Sequence, residues 1–403
     1  MLINQIFEID SCDDEELEIR RKSKLEYRIS YDDEKEMKAI VFMVRGFGAN
    51  KNISFLDFDR EYIAKKFDVV VINVFYHCFS HRQSIEPRYS ASVTFQDKDI
   101  QNLKFAFDRL GINFKYDSTN ILGSLGYLDN IIQDLKNQDK IGVDFKLSLT
   151  GTLVPPNGEY QNYGIMAAID HINALKDLVK RFPKFAHLPK IYGGGSYGGY
   201  LSLLVAKVAP WYVDGIIDNS GAVLPLLISI IGNDLNTGDF IFREKNIDLF
   251  CSTVTHWTRT DDASPYFFGN ENYMIRALLN SSHLQIQTKN NNNIIFISYH
   301  SAKDGFGTSK DKETLFEIYK ALGYDAKLHL IKDESQIDGR FIKDLKHGMR
   351  ITDKALFRKE LPLMLEKLQG RKSLMQEKSI SYPCGNKAFT FKDVGNKFEL
   401  AIK

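Results

Sequence analysis

Cysteine is scarce in this chain of 403 residues: Cys12, Cys78, Cys251 and Cys384 lie far apart and form no CxxC pair. That excludes a dense disulfide framework and a tightly spaced zinc site, so the thiols are expected to be reduced. Charge of one sign is also missing. With 53 basic and 52 acidic side chains the net charge is +1, and no electrostatic drive toward nucleic acid or an anionic membrane surface is expected. Long apolar runs are absent. The longest, residues 224–231, is broken by Pro225 and Ser229 and falls far short of the ~20 residues a membrane helix needs. The acidic, alternating start has neither the basic region nor the apolar stretch of a secretion signal, which leads us to expect a cytoplasmic protein. Neither HExxH nor GxxxxGK[ST] occurs, which leaves zinc proteolysis and P-loop phosphoryl transfer without support.

What remains is ordinary globular composition, 43% hydrophobic and 26% charged, long enough for one large α/β domain with insertions. Residues 5–10 and 25–31 read as two strands joined by a charged turn. Residues 38–44 (KAIVFMV) and 69–76 (VVVINVFY) are apolar runs of buried-strand length, with a helix expected over 58–67 between them. Strand, helix, strand in that order indicates a parallel sheet. Ile165, Ile169, Ile172 and Val179 share one helical face. A strand then ends in Gly193-Gly194-Gly195-Ser196-Tyr197-Gly198-Gly199, and a buried helix follows over 200–208. Further strands are expected at 215–218, 293–299 and 326–331, with helices at 312–322 and 353–369. Residues 78–156 and 222–290 break the periodicity and read as insertions, the second lid-like. Residues 371–403 read as a hairpin extension to a domain spanning 1–370, with a turn at Gly395-Asn396.

The chemistry concentrates at Gly194-Gly195-Ser196-Tyr197-Gly198, a G-x-S-x-G sequence between a strand and a helix. A serine lifted onto so tight a turn takes a strained backbone, and its neighbours two positions away on each side need to be nearly free of side chain. Gly194 and Gly198 meet that need, and the turn aims the Tyr197 amide at a substrate oxygen. The same residues also fit G-x-G-x-x-G, and Asp218 follows Gly198 by 20 positions, where a ribose-binding acid of a nicotinamide-dependent oxidoreductase would stand.

Downstream residues separate the two readings. A serine nucleophile needs a base and an acid to orient that base, in the chain order serine, acid, histidine. Asp304 lies just past the 293–299 strand and His347 beyond the last strand, and a dinucleotide-binding protein has no use for either. Asp333, Glu334 and Asp338 crowd the next loop and are rival carboxylates. His329 lies within a strand, His171 on a helix, and His300 ahead of the expected acid. His187, His256 and His283 fall in connections or in the insertion. The second oxyanion donor is expected after an early strand, where Arg45-Gly46-Phe47-Gly48 would present the Phe47 amide. One such donor is typically worth ~10²–10³ in turnover.

RGFG, GGGSYGG, HSAKDG and KHGM together resemble the α/β-hydrolases of prolyl-oligopeptidase and esterase type. The chain is similar also to a hydrolase-like bacterial family of unknown function found near flagellin-glycosylation genes. The resemblance implies an α/β-hydrolase fold: a mostly parallel central sheet, helices on both faces, N-terminal antiparallel strands and a lid-like insertion. It also implies Ser196, Asp304 and His347 as the catalytic triad, with Phe47 and Tyr197 as oxyanion donors. Arg45 departs from the histidine common before the oxyanion glycine, and the Asp304-to-His347 connection carries extra residues. The expected function is a cofactor-free serine hydrolase acting through an acyl-enzyme on an ester or amide of a small molecule or glycoconjugate. A prolyl-oligopeptidase-type peptidase, an NAD-dependent oxidoreductase and an inactive hydrolase-fold accessory protein are the alternatives.

Overall fold

A computed structural model describes residues 1–113 and 121–403; residues 114–120, within the first expected insertion, lie outside the described residues. The chain divides into two compact units, one of Met1–Phe79, Tyr163–Leu226 and Phe268–Lys403, the other of Ser80–Asn162 and Leu227–Phe267.

The first unit is built on an eight-stranded sheet. Its strands are β1 (Leu2–Ile9), β2 (Leu25–Asp32), β3 (Ile40–Met43), β4 (Val70–Phe75), β5 (Lys190–Gly195), β6 (Gly215–Asn219), β7 (Ile295–Ser301) and β8 (Asp325–Ile331). Their order is β1-β2-β4-β3-β5-β6-β7-β8. Only β2 runs against its neighbours, pairing antiparallel with both β1 and β4, and the others are parallel. This is the α/β-hydrolase arrangement. Every residue of β3, β4, β6 and β7 is buried. Parallel strands covered on both faces require the continuous apolar runs seen in the sequence.

Helices α1 (Ser54–Phe67), α2 (Ile165–Arg181), α3 (Tyr197–Val208), α4 (Ser309–Ala321) and α5 (Asp353–Lys367) cover the sheet. On one face α1 packs on α5 over Val41, Val71, Ile217, Leu356, Phe357 and Met364, and on the other α2 packs on α3. All twelve residues of α3 are buried, so it is apolar nearly all round, as a helix sunk between sheet and neighbour requires. Its one cation, Lys207, donates to the carbonyls of Ile275 (2.7 Å) and Ala277 (2.8 Å). Burial pulls that ammonium down to about 7.

Of the boundaries that differ from the sequence reading, three bear on the site or its supports. The first helix begins at Ser54 rather than 58. Helix α3 begins at Tyr197, because Gly198 and Gly199 are helical residues in tight contacts rather than part of a turn. Strand β7 runs on to Ser301, since His300 and Ser301 still pair with Leu330 and Ile331 of β8. The tail makes two hairpins in series, an antiparallel sheet of Ser379–Cys384, Lys387–Val394 and Lys397–Ile402.

The second unit has its own four-stranded sheet and an apolar core that includes Phe95, Leu103, Leu128, Leu149 and Leu249. Among the described residues no helix is long and apolar enough to cross a membrane.

Candidate active site

Ser196 stands between the last residue of β5 and the first of α3, with φ 57° and ψ −124°. A side chain in this region costs of order 1–3 kcal/mol and persists only where the surroundings impose it. They do so through the Val44 carbonyl at the end of β3. A Cβ on Gly194 would fall 1.8 Å from that oxygen, and one on Gly198 2.1 Å from it. The two glycines thus let strand, turn and helix close around one backbone oxygen. The Ser196 amide donates to the Asn219 carbonyl at 2.7 Å, tying the turn to β6.

His347 arrives from the loop after β8. Its short helical turn contains Gly348 (φ 74°) and Met349 (φ 50°), and Met349 is fully buried as the anchor. Two residues at the end of β6 hold the loop. Asn219 Nδ2 donates to the Gly348 carbonyl at 3.1 Å, and the Gly348 amide donates to Ser220 Oγ at 3.2 Å. Asp304 sits in the turn after β7, where its Oδ1 accepts the Phe306 amide at 2.8 Å and the Gly307 amide at 3.3 Å.

These elements bring the three side chains into one hydrogen-bonded line. His347 Nε2 lies 2.7 Å from Ser196 Oγ, and His347 Nδ1 lies 2.8 Å from Asp304 Oδ2 and 3.0 Å from Oδ1. Burial opposes ionisation of Asp304, but hydrogen bonds from His347 and the Phe306 amide outweigh it and hold the carboxyl below its ordinary range. An ionised carboxylate only accepts, so the imidazole proton belongs on Nδ1, leaving Nε2 to accept from the serine hydroxyl. The Asp304 side chain is fully buried and His347 is 22% exposed. The Phe306 ring stands edge-on to the imidazole, with centroids 4.8 Å apart.

The rival residues are engaged elsewhere. Asp333 caps its own turn through the Ser335 amide (2.9 Å), and Glu334 lies at the surface beside Lys303. Asp338 Oδ1 accepts the amides of Arg340, Phe341 and Ile342. His329 stacks on Tyr299 at 4.4 Å. His171 is bonded to the Ala167 carbonyl, and burial lowers it to about 4. His283 meets the Pro383 carbonyl, and the His256 ring packs on Tyr160. His300 Nε2 is 3.0 Å from the Gly307 carbonyl, behind the Asp304 turn. Asp218 is enclosed: its carboxylate meets Lys312 Nζ (2.7 Å), Ser298 Oγ (2.6 Å) and the Gly221 amide (2.8 Å). Neither member of the Asp218–Lys312 pair is exposed.

The loop after β3 runs against the serine turn. A Cβ on Gly46 would lie 2.9 Å from the Gly195 carbonyl, 3.5 Å from Ser196 Cβ and 3.7 Å from the Tyr197 amide. The Phe47 ring stacks on the Tyr197 ring at 3.9 Å and 9°, and Tyr163 and Tyr200 flank Tyr197. Such an aromatic pair adds about 0.5–1.5 kcal/mol beyond its buried area. The sequence reading did not foresee Asp353, the first residue of α5. Its Oδ1 accepts the Gly195 amide at 3.0 Å, and its Oδ2 pairs with the Arg45 guanidinium. It missed Asn219 and Ser220 as supports of the histidine loop too. A polar pair at the end of a buried strand was the only available sign of them.

Solved structures with a similar backbone include a Pyrococcus horikoshii acylaminoacyl peptidase, at 13% identity over 94% of this chain and 43% of that one, with a TM-score of 0.44. A thermostable carboxyl esterase from Bacillus coagulans is 11% identical over 91% of this chain and 98% of that one, with a TM-score of 0.45. A puromycin hydrolase is 14% identical over 91% of this chain and 39% of that one, with a TM-score of 0.47. The chain thus spans less than half the length of the peptidase and of the puromycin hydrolase. No curated protein matches the sequence. Residues 5–402 match the family described as "Protein of unknown function (DUF2920)", and the chain belongs to that family.

Proposed function

We propose that this protein is a serine hydrolase that transfers the acyl group of an ester to water. The observation that carries the reading is the His347 imidazole, hydrogen-bonded to Ser196 Oγ on one side and to the Asp304 carboxylate on the other. In the first half-reaction Nε2 takes the hydroxyl proton as Oγ attacks the carbonyl carbon. The amides of Tyr197 and Phe47 hold the resulting oxyanion, and the Nε2 proton then goes to the departing alcohol. A water molecule repeats the sequence on the acyl-enzyme, releasing the acid and restoring the serine. Asp304 stays ionised throughout, holding the imidazole in the tautomer that can accept and stabilising its charged form.

The enclosure of Asp218 favours this reading over a dinucleotide site. A ribose-binding acid has to face the ligand, and this carboxylate already serves Lys312, Ser298 and Gly221. The resemblance to a family found near flagellin-glycosylation genes makes acyl esters of glycoconjugates the first substrates to screen, followed by small-metabolite esters.

The test is covalent labelling with a fluorophosphonate probe and mass-spectrometric mapping of the modified residue. Label is expected on Ser196 and absent in Ser196→Ala, with ester turnover in that variant reduced by ~10⁴ or more. Undiminished labelling or turnover in Ser196→Ala overturns the assignment.

A further inference from the structure

We propose that Asp353 is a positioning residue whose carboxylate, through Arg45, keeps the oxyanion loop in register with the serine turn. The inference rests on the serine-hydrolase reading of the same site.

Asp353 opens α5, but the helix does not need its carboxylate as a cap. Thr352 is the N-cap residue, and its hydroxyl accepts the Ala355 amide at 3.2 Å. The Asp353 carboxylate turns away from the helix instead. One oxygen takes the amide of Gly195, the residue before the serine, and the other pairs with Arg45, the residue before the oxyanion glycine. The pair is largely withdrawn from solvent, with 9% of the Asp353 side chain and 18% of the Arg45 side chain exposed. Desolvated charge pairs are costly unless their hydrogen bonds are met, and these are met by the two segments whose spacing the oxyanion geometry requires. The helix that begins here directly follows the histidine loop, itself pinned by Asn219 and Ser220. The carboxylate therefore joins the nucleophile turn to the oxyanion loop, from the start of the helix that follows the histidine loop.

A cavity of about 530 Å³ lies along the oxyanion loop, lined by Arg45, Phe47, Phe55, Asp59, Asp353 and Lys354 among others. Arg45 spans the gap. Its guanidinium lies over the Phe55 ring at 4.8 Å, and its carbonyl accepts the Tyr76 hydroxyl at 2.8 Å. Without the pair, the Arg45 end of the loop loses its link to the Gly195 amide, and the Phe47 amide shifts relative to the oxyanion. A displacement of about 1 Å is enough to cost ~10²-fold in rate.

The experiment compares Asp353→Ala, Asp353→Asn, Arg45→Met, Arg45→Lys and the double variant Arg45→Met/Asp353→Ala with the wild-type chain. Readouts are the rate of fluorophosphonate labelling at Ser196, the hydrolysis of p-nitrophenyl acetate and the melting temperature. Asp353→Ala and Arg45→Met should slow labelling ~100-fold, with the loss in kcat and KM changed by less than about threefold. Asp353→Asn still accepts the Gly195 amide, and Arg45→Lys still carries charge, so each should fall ~10-fold. The double variant should be no slower than the worse single one, because both break the same link.

Asp353→Ala labelling within about twofold of wild type in a folded protein overturns the inference. If that variant does not fold, an Arg45→Met variant that folds and labels at the wild-type rate overturns it instead. Asp59→Asn, a carboxyl in the same cavity outside the link, should label normally, and equal slowing there would show a general charge effect and sink the proposal. Labelling of wild-type Ser196 together with any of these failures leaves the serine-hydrolase reading standing. No labelling of the wild-type serine removes both.

Discussion

The two ends of the candidate site are held in different ways. At the serine end the constraint is mainly backbone packing, with one side-chain tie from Asp353 to the Gly195 amide. The Val44 carbonyl fills the crook of the turn, leaving no room for a Cβ at Gly194 or Gly198, and the amide of Ser196 is tied to β6. At the acid–base end Asp304 and His347 sit in turns held by side chains. These turns are fastened by Asn219, Ser220 and His300 and by the Asp304 carboxylate's own contacts with backbone amides. Packing of that kind demands particular residue types at fixed spacing, whereas a side-chain bond between loops asks only that a polar group of suitable length arrive. The packing glycines of the first end should therefore answer to mutation mainly through stability, and the acid–base residues of the second mainly through activity.

Asp304→Asn gives the largest effect. An asparagine amide donates to Nδ1, which moves the imidazole proton to Nε2, where it faces the serine hydroxyl and cannot accept. Turnover should fall ~10⁴-fold, about 5.5 kcal/mol of barrier, in a folded protein. Steady-state kinetics with circular dichroism checks this, and a fall of less than tenfold breaks the comparison. The same variant carries a pH signature. Asp304 is held below its unfolded value, so its stabilising contribution is present above the ordinary carboxylate range, near pH 4, and is lost as pH falls through the depressed folded value. Denaturation midpoints should fall less steeply as pH drops below about 5 in Asp304→Asn than in wild type.

Gly198→Ala comes next and acts at the other end. The new methyl would meet the Val44 carbonyl, so β3 and α3 have to separate, at a cost of about 3 kcal/mol. Urea unfolding measures it. A variant as stable as wild type would show that the turn does not depend on close backbone approach. The smallest effect on stability has the opposite sign. Ser196→Gly removes the side chain from a backbone conformation that favours glycine, and stability should rise by about 1 kcal/mol while activity disappears. No gain in the unfolding midpoint would mean the serine carries no strain worth releasing.

The strands were legible because each is a short apolar run flanked by turn residues, and β4 and β6 fell within a residue or two of their expected positions. Helix α3 was legible in kind but not at its start. Gly198 and Gly199 read locally as a break, and only their contacts with Val44 and Asp218 explain why a helix tolerates them. The serine turn was readable for the same reason, since its chemistry is written in residue types at fixed offsets. Asp304 was one of four carboxylates near the right strand ends, and sequence order alone could not set aside Asp333, Glu334 or Asp338. Asp353 was invisible, because an aspartate at a helix start usually has a local use that Thr352 here supplies.

By itself the sequence determined the alternation of buried strands and helices, the glycine-flanked serine between them, and an order of acid and histidine that suits it. These follow from local demands: burial period, backbone dihedrals and close approach each restrict the residue type at a given position. The tertiary structure decided which loop carboxylate meets His347, that Asp218 is spent inside on Lys312, and that Asp353 joins Gly195 to Arg45. Those partners are distant in the chain, and they meet because the strand order of the sheet brings their loops to the same edge. No local pattern encodes that meeting.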